Sequence, residues 1–285
     1  MDKSLHRTDY CYLMPLFFPR KYGHRERELG TGTTATVSLY THKQRYYAVK
    51  VISRDDGESR KDHLARVHKE VEIHRALGKH INVVDFVEFF VVNRRPYYVE
   101  EFLPISVSFV RPVQDLESRL CLFKQLVHAL DYLQKQNISH RDVKLANCRL
   151  TKGGILKIID FGSSIYGNEG IGVAGSKGMV APEVLRNLRY DSFLSDVWSL
   201  GVVFVELMGQ KTKWKEALWN DPAFEQYTKT GNVDQVAEHM HEFSGLVLAM
   251  LQINPQMRIA LCDLLKTEIV GQIKCCGPAN ALHSH

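Results

Sequence analysis

Two segments early in the chain have the residue types that phosphate binding requires. Gly30-Thr31-Gly32-Thr33-Thr34-Ala35-Thr36-Val37 lies between two β-rich runs. A glycine-rich turn lets backbone N–H groups approach a phosphate with no Cβ in the way. Taken alone, a plain hairpin turn is the better reading of it. Lys50, in Tyr47-Ala48-Val49-Lys50, follows on a strand from which its ammonium can reach α- and β-phosphates. Alone it reads as an ordinary exposed strand lysine. An acidic partner must hold it, and the next helix carries two, Glu70 and Glu72. They sit about 200° apart round the helix, so only one can face the lysine; Glu70, beside the apolar stripe, is the better placed. Further on comes His140-Arg141-Asp142-Val143-Lys144-Leu145-Ala146-Asn147, then Asp160-Phe161-Gly162, Ala181-Pro182-Glu183 and Asp196-Val197-Trp198-Ser199. Any one tripeptide can arise by chance. The ordered set, after a glycine turn and a strand lysine, does not.

Positioning these groups takes a sheet and then a set of helices. Val37–Tyr40 and Arg45–Ile52 read as a hairpin about the turn Thr41–Gln44. Lys61–Leu77 reads as a helix with Leu64, Val67, Val71 and His74 on one stripe. Val83–Val92 and Pro96–Phe102 read as two more strands joined at Asn93–Arg95. After Pro104 the pattern turns helical. Asp115–Gln136 is amphipathic, Ile155–Ile159 is a short apolar strand, and Ser192–Met208 is apolar nearly all round and so expected in a core. A sheet-rich first third and a helical remainder make an α+β chain of two lobes, with the boundary near Glu101–Pro104.

The ordered motifs resemble those of the eukaryotic protein kinases over about residues 21–270. The resemblance implies the bilobal kinase fold, with an N-lobe over about 21–102 and a C-lobe over about 103–270, between an N-terminal extension (1–20) and a C-terminal tail (271–285). It implies ATP and Mg²⁺ as cofactors and Ser/Thr hydroxyls of protein substrates as acceptors. Gly30 and Gly32 would cover the phosphates, with further nucleotide contacts from Thr31, Val37, Ala48, Glu101 and Leu103. Lys50 would bind the α/β-phosphates, positioned by Glu70. Asp142 would accept the proton of the substrate hydroxyl. Asn147 and Asp160 would hold two Mg²⁺ ions. Lys144 stands where the Ser/Thr members carry a lysine that contacts the transferred phosphate. Ser176 matches a hydroxyl that bonds near the base, Glu183 and Arg258 a buried pair, and Asp196 the acid beneath the catalytic loop. Lys144–Cys148, Lys157–Ser164, Trp214–Ala217 and Asp221–Phe224 are similar to fungal kinases that regulate nutrient permeases and ion transporters.

Several positions depart from the family pattern. Ala35 replaces the third glycine. Glu100 falls at the gatekeeper position, usually apolar or Thr, although a shift of one residue would put Val99 there. A Glu in that place needs a basic partner or solvent. Arg149 stands where the family packs a Leu under the adenine. Gly172 falls where many kinases keep a phosphorylatable Thr, whose phosphate the residue at Arg141 would pair with. Activity without phosphorylation at that position is therefore expected, with Ser163, Ser164 and Tyr166 as ordinary loop residues. His74 reads as a packed histidine on the helix face where the family keeps Leu.

Composition narrows the alternatives. The 285 residues are 45% hydrophobic and 24% charged, which excludes a disordered, collagen-like or disulfide-stapled chain. A net charge of +5 is no nucleic-acid footprint. No apolar run is a membrane span, since Leu200–Met208 is short and holds Glu206. Tyr10–Phe18, broken by Pro15 with Pro19 after it, reads as a strap on the surface. Cys11, Cys121, Cys148, Cys262, Cys275 and Cys276 make no C-x-x-C pair, which suits reduced thiols, a cytoplasmic or nuclear location and a monomer. Cys275 and Cys276 read as two thiols on a frayed tail. The reading is an active Ser/Thr protein kinase. A kinase-fold binding module without transfer is the alternative, and the intact Lys50, Asp142, Asn147 and Asp160 weigh against it. An enzyme acting on a small molecule is disfavoured by Lys144 and Ala181-Pro182-Glu183.

Overall fold

The computed structural model describes residues 21–32, 35–110 and 115–276. The strap Tyr10–Phe18, Cys11, Thr33, Thr34 and the chain beyond Cys276 lie outside the described residues. The described residues form two compact units, one made of those up to Arg75 with Asp85–Phe102, the other of Ala76–Val84 with those from Leu103 to Cys276.

The first unit is an antiparallel sheet and one helix. Its strands are β1 (His24–Thr31), β2 (Ala35–His42), β3 (Arg45–Ile52), β4 (Phe86–Val92) and β5 (Arg95–Glu101), and its helix is α1 (Arg60–Leu77). The sheet order is β1-β2-β3-β5-β4. Two-residue turns join β2 to β3 and β4 to β5, and their residues Lys43, Gln44, Asn93 and Arg94 all have positive φ, the geometry that matches strand twist. Side chains alternate between the two faces of the sheet. Val49 and Val99 pack with Tyr22 on one. Ala35, Ile52 and Tyr98 pack with Val67 and Val71 of α1 on the other. The Ser59 hydroxyl caps α1 by accepting the Asp62 amide at 3.2 Å.

In the second unit, α2 (Leu116–Lys135) starts at Asp115, whose carboxylate accepts the Ser118 amide at 2.7 Å. Strands β6 (Cys148–Leu150) and β7 (Leu156–Ile158) pair antiparallel, as do β8 (Glu169–Ile171) and β9 (Arg189–Asp191). Helix α3 (Pro182–Arg186) lies between the latter two. Helix α4 (Ser192–Leu207) is buried over most of its length and meets α2 through Phe123 and Phe204, 4.6 Å apart edge to face. Trp198, Trp214, Phe224 and Tyr227 cluster on its outer side.

Two expectations change. The strand expected from Val83 starts at Phe86, because residues 82–84 pair elsewhere: Val84 N–H donates to Ile158 O at 3.1 Å and Ile158 N–H to Asn82 O at 2.9 Å. The Asn82 amide adds bonds to Gln125 and to the Leu156 carbonyl, which draws this segment into the second unit. Lastly, Cys275 and Cys276 do not fray. Cys276 is 5% exposed, its amide donates to Cys121 Sγ at 3.3 Å, and both cysteines pack with Cys121, Ile155 and Ile273. Lys124 Nζ fixes the same stretch through the Gly271 and Ile273 carbonyls. The five described cysteines are all free thiols. Among the described residues no helix is long and apolar enough to cross a membrane.

Candidate active site

In the first unit, β3 carries Lys50 and α1 carries Glu70. Both are buried, and Lys50 Nζ lies 2.7 Å from Glu70 Oε1. Glu72 is exposed, so the helix periodicity chooses between the two acids. Val37 stands opposite Lys50 on the neighbouring strand, and Gly30 opposite Val37. The Gly32 amide donates to Ala35 O at 2.8 Å and closes the turn. A Cβ at Gly30 would meet nothing within 4 Å, and one at Gly32 only the Ala35 carbonyl at 3.8 Å. The fold itself thus leaves room for side chains at both glycines.

Strand register separates Glu100 from Val99. Ala48 pairs with Glu100, Val49 with Val99 and Lys50 with Tyr98. Directly opposed residues share a face, so Glu100 lies on the side of Lys50 and α1, and Val99 on the other. Glu100 is buried with Oε1 3.4 Å from His74 Nδ1, and among the described residues that oxygen has no hydrogen-bond partner. The same His74 nitrogen bonds the Tyr98 hydroxyl. The histidine expected merely to pack is a polar link between α1 and β5. Glu101 turns its carboxylate onto the Asp85 amide at 2.7 Å.

In the second unit the loop after α2 is held by buried Asp196. Its two oxygens accept the amides of His140 at 2.7 Å and Arg141 at 2.8 Å. Burial pushes the Asp196 carboxyl up to about 7, against the pull of those two amides. His140 Nδ1 accepts the Asp142 amide, which leaves its proton on Nε2 to donate to the Ile159 carbonyl. Burial holds its pKa below the ordinary imidazole value, in keeping with a neutral ring. Phe161 packs against that ring at 5.5 Å.

Asp142 is enclosed by donors. Its Oδ2 accepts from Lys144 Nζ at 2.7 Å and from Asn147 Nδ2 at 3.1 Å. Its Oδ1 accepts from the Ser176 hydroxyl at 2.8 Å, and Lys144 bridges back to Ser176 at 2.7 Å. Asn147 Nδ2 also donates to the Asp142 carbonyl. The Ile159 amide donates to the Asn147 carbonyl at 2.9 Å, which stitches the residue before Asp160 to this loop. Arg141 and Asp160 both have positive φ, 66° and 68°, a backbone state that bulky residues hold only when their surroundings impose it. Leu103 is buried. Arg149, on β6, is half-buried, and burial lowers its pKa. The expected pair of Glu183 and Arg258 is bidentate, at 2.6 and 2.7 Å.

A carboxylate held by a lysine, a hydroxyl and an amide can accept a proton and present oxygen ligands to a cation. The sequence matches the description "Protein kinase domain" over residues 23–270. The chain belongs to the protein kinase domain family. The chain is similar to the probable serine/threonine-protein kinase RTK1 of Saccharomyces cerevisiae, 28% identical over 96% of this chain and 48% of that protein. It is also similar to the nitrogen permease reactivator protein of the same yeast, 28% identical over 77% of this chain and 29% of the relative. A third relative is the CBL-interacting serine/threonine-protein kinase 5 of Arabidopsis thaliana, 32% identical over 85% of this chain and 56% of its own length. The chain spans about half the length, or less, of the Saccharomyces cerevisiae relatives it matches. The sequence reading missed Tyr190, which caps Arg141 with its hydroxyl at 2.9 Å. No local pattern marks it, because its partner lies far away in the chain.

Proposed function

We propose that the chain is a serine/threonine protein kinase that transfers the γ-phosphoryl group of ATP to Ser or Thr hydroxyls, with Asp142 as the base. The enclosure of Asp142 by Lys144, Ser176 and Asn147 carries this reading. In the transfer, the substrate oxygen forms a bond to the γ-phosphorus while the bond to the β–γ bridging oxygen breaks and ADP departs. Asp142 takes the hydroxyl proton, and Lys144 stabilises charge on the transferring group. Lys50, held by Glu70, binds the α- and β-phosphates. Gly30 and Gly32 let backbone amides close over the phosphates, which supplies a reason for glycine that packing does not. Val37, Ala48, Glu101, Leu103 and Thr31 complete the nucleotide contacts, and Glu100 is the gatekeeper.

Asn147 and Asp160 would hold Mg²⁺. Their oxygen donors suit a hard cation, and the Asn147 amide spends its N–H₂ on Asp142, so its oxygen is the end left for a metal. Among the described residues no cluster of three His, Cys, Asp or Glu forms a cage, and magnesium that keeps waters and phosphate oxygens needs none. When bound, the ion neutralises phosphate charge. The yeast similarities suggest a membrane permease, or a protein controlling one, as substrate, and the free thiols support a reducing location such as cytoplasm or nucleus.

The test is transfer from labelled ATP with Mg²⁺ onto an arrayed Ser, Thr and Tyr peptide library, beside an Asp142→Asn control. Label on Ser/Thr peptides that falls at least about 100-fold in the control is the expected outcome. Folded protein that binds ATP but moves no label would overturn the reading in favour of a binding module.

A further inference from the structure

We infer that Tyr190 is a positioning residue that braces the catalytic loop through Arg141, in the place where a phosphate would otherwise act. This inference deepens the kinase reading and rests on it. Arg141 adjoins Asp142, so whatever fixes its guanidinium also fixes the backbone that carries the base. Its Nε and Nη2 both donate to the Tyr190 hydroxyl, at 3.1 and 2.9 Å. Nη2 also donates to the carbonyls of Ile171 at 3.1 Å and Gly172 at 3.4 Å. Four donor contacts thus run from one guanidinium into the β8–β9 hairpin, and none needs a modified residue.

The hairpin is shaped for this ring. Gly170 pairs with Tyr190 across the two strands. A Cβ at Gly170 would fall 2.4–3.0 Å from three atoms of the Tyr190 ring, so only glycine leaves the ring lying across the strand with its hydroxyl aimed at Arg141. Tyr190 is 8% exposed. The Gly172 amide donates to Leu188 O at 2.9 Å and ties the top of the hairpin. Gly172 itself has φ 67° and no side chain to modify. The other acceptors nearby are poorly placed to replace Tyr190: Ser164 is buried with its hydroxyl on the His140 carbonyl, and Ser176 serves Asp142. A guanidinium fork on one phenol oxygen and two carbonyls gives fixed geometry, which is what a phosphate contact would supply.

The experiment uses the full chain, stripped of phosphate by a phosphatase and checked by intact mass, with Tyr190→Phe, Gly170→Ala, Arg141→Met and the Tyr190→Phe/Arg141→Met pair. Phosphate-free wild type should keep its kcat. Tyr190→Phe and Gly170→Ala should each lower kcat by about 10-fold with little change in KM for ATP, since a small misplacement near the base acts on turnover. The double variant should be no slower than Arg141→Met, because the two residues act as one unit. Hydrogen exchange at the amides of Gly170 and Gly172 reads the brace without any transfer assay, and should speed up alike in all four variants. Loss of wild-type activity on dephosphorylation, or a Tyr190→Phe chain with wild-type kcat and exchange, would overturn the inference. A wild type that exchanges as expected yet transfers nothing would overturn the kinase reading and leave the brace standing.

Discussion

Asp196 is the buried acid beneath the candidate catalytic loop, and its ionisation is expected to show in the activity. Each oxygen accepts one amide of the catalytic loop, so adding a proton to either removes an acceptor. Its folded pKa of about 7 stands above the ordinary 3.8. The fold therefore favours the protonated carboxyl, and this group's contribution to stability declines as pH rises from about 4 towards 7. Activity has the opposite sign, because the ionised form holds the loop. The kcat profile should rise through an acid limb near pH 7. Asp196→Asn should lower kcat and flatten that limb; an unchanged limb would show that another group sets it. Sequence order alone singled out Asp142, Asn147, Asp160 and Lys50 as candidates, since each sits in a motif of near neighbours. It left Glu100 and Val99 open, because a one-residue slip moves a strand's side chains to the other face, and the pairing with Ala48 is what puts Glu100 on the Lys50 face.

Among the elements, helices were legible and edges were not. Helix α2 runs from an Asp115 cap along an apolar stripe, and α4 is apolar almost all round, so both could be placed to within a residue. Strand β1, His24–Thr31, was implied ahead of the glycine turn but given no bounds, because its HRERELGT sequence is charged and mostly exposed, the dress of an edge strand. The β8–β9 pairing was equally hidden, since its partners are separated by the whole segment between Ile171 and Arg189. Helix α4 also has a point of close contact. A Cβ on Gly201 would fall 2.7 Å from Leu251 Cδ2 and 3.0 Å from Met250 Cβ, and both neighbours are fully buried. Gly201→Ala gains up to about 1 kcal/mol of helix propensity but overpacks a rigid site at about 1–3 kcal/mol. A net loss is expected, seen as a melting temperature lower by a few degrees; a rise would mean that Leu251 can yield.

For the molecule as a whole, the bidentate pair of Glu183 and Arg258 joins distant parts of the second unit. Arg258 also donates to the carbonyls of Gln252 and Leu194 and lies 5.0 Å over the Trp198 ring. Removing one partner leaves a buried charge uncompensated, so Glu183→Ala should cost about 3–5 kcal/mol. Calorimetry should show a melting point lower by roughly 2–4 °C per kcal/mol, and a shift within one degree would show that the pair is dispensable. The docked C-terminal stretch bears on how the protein is made. The family match ends at Val270, yet Ile273, Cys275 and Cys276 still cover Cys121 and Ile155. A recombinant chain trimmed to the match would lose that lid. It would gain a sticky apolar spot with a newly bared thiol at its centre, open to air oxidation and to crosslinking between molecules during storage.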